Sequence, residues 1–251
     1  MPKLIVLGSS AAVPDEEHEN THLALKGEAQ TILIDCTGTP IVRLRQAGLE
    51  TSSLTDLILT HFHPDHVSGT PQLLMDMWLM GRTQPLTIHG LHHTLERVQA
   101  LLDLYDWKQW PGMYPVSFHP LPESEMAPVL ESAEFRIFSS PVRHLLPTIG
   151  LRVEFPQSGK ALAYSCDTEP CPQVAALAQG VDLLIHEATG AYTGHSTAAQ
   201  AAGIALQAQA RALCLIHYPA LLINPQALIA EVSQVFTGSV TLAEDFKEFT
   251  F

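Results

Sequence analysis

The sequence predicts an α/β fold: two β-sheets packed together and covered by helices, in one domain spanning residues 1–251. Three observations predict it. Short apolar runs rich in Val, Ile and Leu recur between Gly and Pro punctuation in both halves of the chain. Helical patterns lie between those runs, and no Ser/Gly linker, charge run or short repeat divides them. Hydrophobic residues make up 46% of the chain and charged residues 16%, which supplies a large core and excludes global disorder.

The elements follow in order. The run 4–7 stops at Gly8 and is too short for a signal-peptide core or a membrane span. It reads as a strand, as do 31–36, 56–60, 86–89, 135–139, 161–166, 183–186, 212–216 and 239–242; several are apolar enough to be buried on both faces. The helix predicted over 40–47 begins with Pro40 and stops before Gly48. The next, 70–80, stops at Gly81, and its apolar segment 73–80 suits either core or an interface between subunits. Residues 94–105 are amphipathic, whereas 107–128, rich in Pro and aromatics, read as an irregular loop. The Ala-rich stretch 197–212 predicts a helix capped by Ser196, and Asn224-Pro225 opens a last one that ends near Gly238.

Lys and Arg number 13 against 26 Asp and Glu, a formal net charge of -13, so no bulk basic field exists to attract nucleic acid. The four cysteines are scattered without a CxxC pair, which argues against a disulfide framework. A cytoplasmic protein with no membrane partner is the expectation.

Thirteen histidines are many for this length, and four donors fall together in His61-Phe62-His63-Pro64-Asp65-His66, directly after a predicted strand. Imidazole and carboxylate are ligands for zinc and similar divalent ions, and a solvated loop has no need of this spacing. His144, Asp167 and His217 each stand at or just beyond the end of a further apolar run. Taken singly, each reads as a hydrogen-bonded structural residue; taken together, they complete two metal sites. Asp can bridge two ions through its two oxygens, which His cannot.

These residues, spread over nearly the whole chain, resemble the dinuclear metallo-β-lactamase-fold hydrolases. The resemblance implies a four-layer αβ/βα sandwich with two divalent ions at one edge, most commonly Zn, with Mn or Fe as alternatives. It places His61, His63 and His144 on one ion, Asp65, His66 and His217 on the other, and Asp167 between them with a water or hydroxide. The chain resembles the ribonuclease Z branch most closely. The matching segments are the opening 7–14, the stretch 81–90, the loop 165–171, and the pair Leu184-Ile185-His186-Glu187-Ala188-Thr189 and Gly194-His195-Ser196-Thr197. That branch implies His195 as proton donor to the leaving oxygen, oriented by Glu187, with metal-bound hydroxide as nucleophile and Asp65 accepting its proton. Imidazole titrates near neutrality and suits the donor role, and amides at the following helix start could hold phosphate oxygens. His186 reads as a packing residue, Asp56 as an anchor of the ligand loop, and His18 and His22 as part of a loop at the cleft mouth. The family also implies a homodimer.

The branch's basic, Gly-rich RNA-clamping arm has no counterpart here. The interval 67–143 holds five cations (Arg82, Arg97, Lys108, Arg136 and Arg143) against eight anions. The expectation is therefore a phosphodiesterase acting on a small molecule or a short nucleotide, with tRNA disfavoured as a partner by charge. The alternatives are a true tRNA 3′-processing endoribonuclease, a hydrolase of another ester such as an aryl sulfate or lactone, and a non-catalytic metal-binding sensor.

Overall fold

A computed structural model describes residues 1–251. Strands β1 (Lys3–Gly8), β2 (His22–Lys26), β3 (Thr31–Ile34), β4 (Leu54–Leu59), β5 (Leu86–Leu91) and β6 (Val116–Leu121) form one sheet with the C-terminal β14 (Glu248–Thr250), in the order β14-β1-β2-β3-β4-β5-β6. Strands β7 (Ala127–Glu131), β8 (Arg136–Val142), β9 (Thr148–Phe155), β10 (Lys160–Tyr164), β11 (Leu183–Glu187), β12 (Ala212–Ile216) and β13 (Ser239–Leu242) form the second, in the order β13-β12-β11-β10-β9-β8-β7. Each sheet is part parallel and part antiparallel: β3 to β6 run parallel in the first, β10 to β13 in the second.

The helices are α1 (Pro40–Gln46), α2 (Pro64–Val67), α3 (Thr70–Leu79), α4 (His92–Asp103), α5 (Pro172–Leu177), α6 (Ala198–Gln207) and α7 (Pro225–Val232). The two-residue period of a strand sends alternate side chains to opposite faces. Thus Ile58 of β4 joins Leu4, Leu25, Ile137 and Leu162 between the sheets, while its neighbours Leu57 and Leu59 pack under the helices with Leu73 and Val98. The second sheet does the same: Ile185 points between the sheets, and Leu184 lies under Ala201, Ala205 and Val174. Runs buried on both faces need apolar residues at every position, which is why they read as unbroken hydrophobic stretches. The result is helix, sheet, sheet, helix: the four-layer αβ/βα sandwich the sequence predicts.

Several local expectations change. Residues 107–128 are not one irregular loop: they hold a 3₁₀ turn at Trp107–Gln109, the edge strand β6 and the start of β7. Pro120 is accommodated because β6 lies at the sheet edge, where one side of the backbone needs no partner. Ser196 does not cap α6. Thr197 does, its hydroxyl accepting the Gln200 amide while the Gln200 side chain accepts the Thr197 amide. In α3, Leu73, Leu74 and Met77 are core, whereas Leu79 and Met80 are exposed. The four cysteines are buried and unpaired. No helix is long and apolar enough to cross a membrane.

Candidate metal centre

The polar residues singled out in the sequence collect at one end of the sandwich, where β4, β8, β10 and β12 deliver their C-terminal loops or extensions. At two of these turns, and at the neighbouring one after β3, the backbone is left-handed at a residue other than Gly: Cys166 after β10 (φ 54°), His217 after β12 (φ 51°) and Asp35 after β3 (φ 61°). Such conformations are costly for ordinary residues and concentrate at functional sites.

All seven predicted donors come together. His61 Nε2 lies 3.0 Å from His63 Nδ1, and His144 Nε2 lies 3.1 Å from that same atom. Asp167 Oδ2 is 3.9 Å from His61 Nε2 and 4.0 Å from His144 Nε2. On the other side, His66 Nε2 and His217 Nε2 are 3.3 Å apart, and Asp65 Oδ2 lies 3.6 and 3.5 Å from them. Asp167 reaches this second group too, through Oδ1 at 3.3 Å from His217 and Oδ2 at 3.6 Å from His66.

A tetrahedral ion bound at about 2.0–2.1 Å has ligand–ligand edges of about 3.3–3.4 Å. The second group fits that figure closely and the first brackets it. The ring orientations fit as well. The second nitrogen of His66 donates to Asp35 Oδ2 at 2.8 Å, that of His144 to the Gly194 carbonyl, that of His217 to Thr189 Oγ1 at 3.2 Å, and that of His61 to Thr60 Oγ1 at 3.1 Å. Each donation fixes the tautomer and leaves a lone pair aimed at the cluster. Asp167 Oδ1, buried, accepts no hydrogen bond. A set of converging lone pairs around an orphaned carboxylate oxygen fits one or two divalent cations.

The electrostatics are strongly perturbed. Burial alone would raise the Asp167 carboxyl, but His217 and His66 outweigh it and hold the group well below the usual carboxylate range. Burial depresses His61, His63 and His144, whereas Asp167 and Asp35 overcome it at His66 and push that ring well above its ordinary value.

His195 stands beside the cluster, its ring 5.0 Å from that of His144 and 6.1 Å from that of His217. Its Nδ1 donates to Glu187 Oε1 at 3.0 Å. Glu187 is fully buried and its carboxylate also accepts the amides of Thr168, Ser196 and Thr189, so it cannot swing away. Burial opposes the charge on His195, but this bond and the Glu187 charge raise it above the ordinary imidazole range.

Other expectations are corrected. Asp56 does not anchor the ligand loop: it lies in the first half of β4, away from that end, and accepts from His89 Nε2 at 2.8 Å. Asp35 is the anchor, accepting the Thr60 amide and hydroxyl as well as His66; its signal was a lone Asp ending an apolar run. The amides at the start of α6 are not free for phosphate, since those of Ser196, Thr197, Ala199 and Gln200 already bond Glu187, Gln200, Glu231 and Thr197. His22 is buried on the Asn20 carbonyl, and His18 bonds Asp15 and packs on Tyr218, so neither lines the cleft. His186, as expected, packs in the interior, donating to the Glu187 carbonyl.

A cleft of about 400 Å3 opens onto this cluster, lined by His63, Asp65, Asp167, His195 and His217 on its polar side. Neither Lys nor Arg lines it.

A family model described as a beta-lactamase superfamily domain matches residues 30–218. Ribonuclease Z of Methanothermobacter thermautotrophicus is 27% identical, over 94% of this chain and 92% of its own length. Ribonuclease Z of Porphyromonas gingivalis is 26% identical, over 95% and 96%. The first alignment runs over 291 positions, more than the 251 residues of this chain, so that relative carries stretches this chain lacks. Among solved structures, a metallo-beta-lactamase fold protein of Bacillus subtilis superposes with a TM-score of 0.85 at 21% identity, covering 99% of this chain and 98% of that one. The human short-form tRNase Z does so with 0.80 at 23% identity, covering 99% and 98%.

Proposed function

The chain belongs to the beta-lactamase superfamily, and from that premise we propose that residues 1–251 act as one metal-dependent hydrolase domain cleaving phosphodiesters. The observation that carries this reading is Asp167, a buried carboxylate shared by two sets of converging donors, with His195 poised next to both. The relatives named ribonuclease Z support the phosphodiester class.

In this reading His61, His63 and His144 would hold one ion and Asp65, His66 and His217 the other, with Asp167 available to both. The donor set suits zinc best, with Mn or Fe as alternatives. When bound, such ions would supply an acidified water and positive charge to offset that of a phosphoryl group. Asp65, half-buried in the first turn of α2, takes the proton of the attacking water. His195 gives a proton to the departing oxygen from Nε2, because Glu187 holds Nδ1. The Glu187 bond keeps that ring oriented and favours its protonated form.

The substrate is a small or short phosphodiester. A long polyanion would need cations along its path, and the cleft lining has none. Cleavage of precursor tRNA is the second reading, favoured by the names of the relatives. Metal analysis of the purified protein with a bis-p-nitrophenyl phosphate assay tests the proposal, and a precursor-tRNA assay run beside it separates the two readings. Metal-loaded protein that turns over neither substrate would refute both.

A further inference from the structure

We infer that the cleft selects phosphodiesters whose ester substituent is uncharged and planar or apolar, and that Tyr192 is the residue that reads it. This deepens the phosphodiesterase reading and rests on it.

The apolar part of the cleft lining includes Ala11, Val13, Tyr192, Pro219 and Leu222. Val13 follows β1, Tyr192 belongs to the loop that carries His195, and Leu222 follows His217, so three separate segments bring apolar groups to one mouth. These are exposed side chains: Val13 is 55%, Tyr192 67% and Leu222 72% accessible. Their neighbours Leu145, Leu221 and Ile223 are exposed as well. Large apolar groups left in water at a cleft mouth gain by covering and being covered by a ligand.

Tyr192 is held for this task. Its amide donates to the Gly190 carbonyl and its own carbonyl accepts the His195 amide, a tight turn that ties the backbone of the tyrosine to that of the proton donor. A Cβ on Gly190 (φ 125°) would meet the Tyr192 ring at 3.3 Å, so the ring rests on bare backbone there. An aromatic ring at the cleft mouth offers a stacking surface to any planar group, without reading its hydrogen-bond edges. The phosphate lies at the donors and the substituent against the tyrosine. A substituent carrying its own negative charge finds no Lys or Arg in the lining with which to pair.

The test is calorimetric binding to the metal-loaded protein of three phosphonates that share one anionic head: phenylphosphonate, methylphosphonate and 3-phosphonopropionate. Phenylphosphonate is expected to bind about tenfold more tightly than the other two, the order of one aromatic stacking contact. In Tyr192→Ala that preference collapses toward one, and Tyr192→Phe restores it. Equal affinity for the three in the wild-type protein, or a preference that survives Tyr192→Ala, overturns the inference. Bis-p-nitrophenyl phosphate turnover is measured on the same samples. An aryl preference without turnover sinks the hydrolase reading and leaves the binding one standing, whereas turnover without a preference sinks this inference alone.

Discussion

The Gly194 carbonyl accepts the Nδ1–H of His144 at 2.7 Å, so the loop that carries His195 is tied directly to a donor of the first metal set. Position 194 tolerates nothing else. Its φ is +84°, and a Cβ there would lie 2.9 Å from that same Nδ1 and 3.1 Å from Leu145 Cγ. Gly194→Ala is expected to displace both rings. It should lower diester turnover by at least about tenfold and weaken metal retention, with a stability cost of roughly 1–3 kcal/mol from the strained backbone. Metal content after dialysis, steady-state kinetics and a urea midpoint measure the three effects.

His195→Ala isolates the proton donor. Loss of general acid catalysis costs about 10²–10⁴ in kcat. Metal content should remain that of the wild-type protein, because no donor is removed. A variant with normal metal and undiminished kcat would refute the role.

The pH profile carries the signature of Glu187. Its bond raises the His195 pKa, so the protonated donor persists to higher pH than an unassisted imidazole would allow, and activity falls only above that raised value. In Glu187→Gln the charge is gone, and the alkaline limb of the kcat profile is expected to move to lower pH. Circular dichroism on the same samples confirms that the variant is folded.

Asp35 acts on the metal through His66. Asn fits the left-handed backbone at this position, so Asp35→Asn keeps the turn but loses the charge that faces the His66 Nδ1–H. Carboxylates in such positions contribute about 10–100-fold to metal affinity. That loss is expected in a competitive chelator titration, for the ion that His66 would hold in the proposed reading.

His22 gives a pH effect on stability that is separate from catalysis. Burial drives its pKa down to about 4, and its Nε2 has no partner, so the folded protein holds it neutral. The unfolded chain takes up this proton near pH 6.5, the folded one only near 4. The stability contribution is therefore complete above about 6.5 and is lost as the pH falls toward 4, by up to roughly 3 kcal/mol. Urea midpoints at pH 7 and pH 4.5 should differ less in His22→Asn than in the wild-type protein.

The donors were legible because each ends an apolar run or falls in one dense motif, and strand ends are where a sandwich of this kind gathers its loops. Glu187 and His195 were legible only through their resemblance to a known loop. Asp35 escaped: nothing in the spacing says that the chain turns left-handed there and brings a carboxylate beneath His66. Strand β9 escaped because Gly150, Arg152 and Glu154 break its apolar pattern, although Arg152 and Glu154 pair with each other outside the core. Strand β6 was masked by Pro115, Pro120 and an exposed, polar-faced edge.

The apolar interior between the sheets has a further consequence. Contacts such as those of Ile58, Ile137 and Leu162 have no preferred direction, so by themselves they would let one sheet slip slightly over the other. The donors allow no such latitude, since four come from the end of the first sheet and three from the second. The ion pocket thus works as a vernier for the alignment of the two halves. Trimming a side chain deep between them, far from any imidazole, would announce itself first as leaking metal.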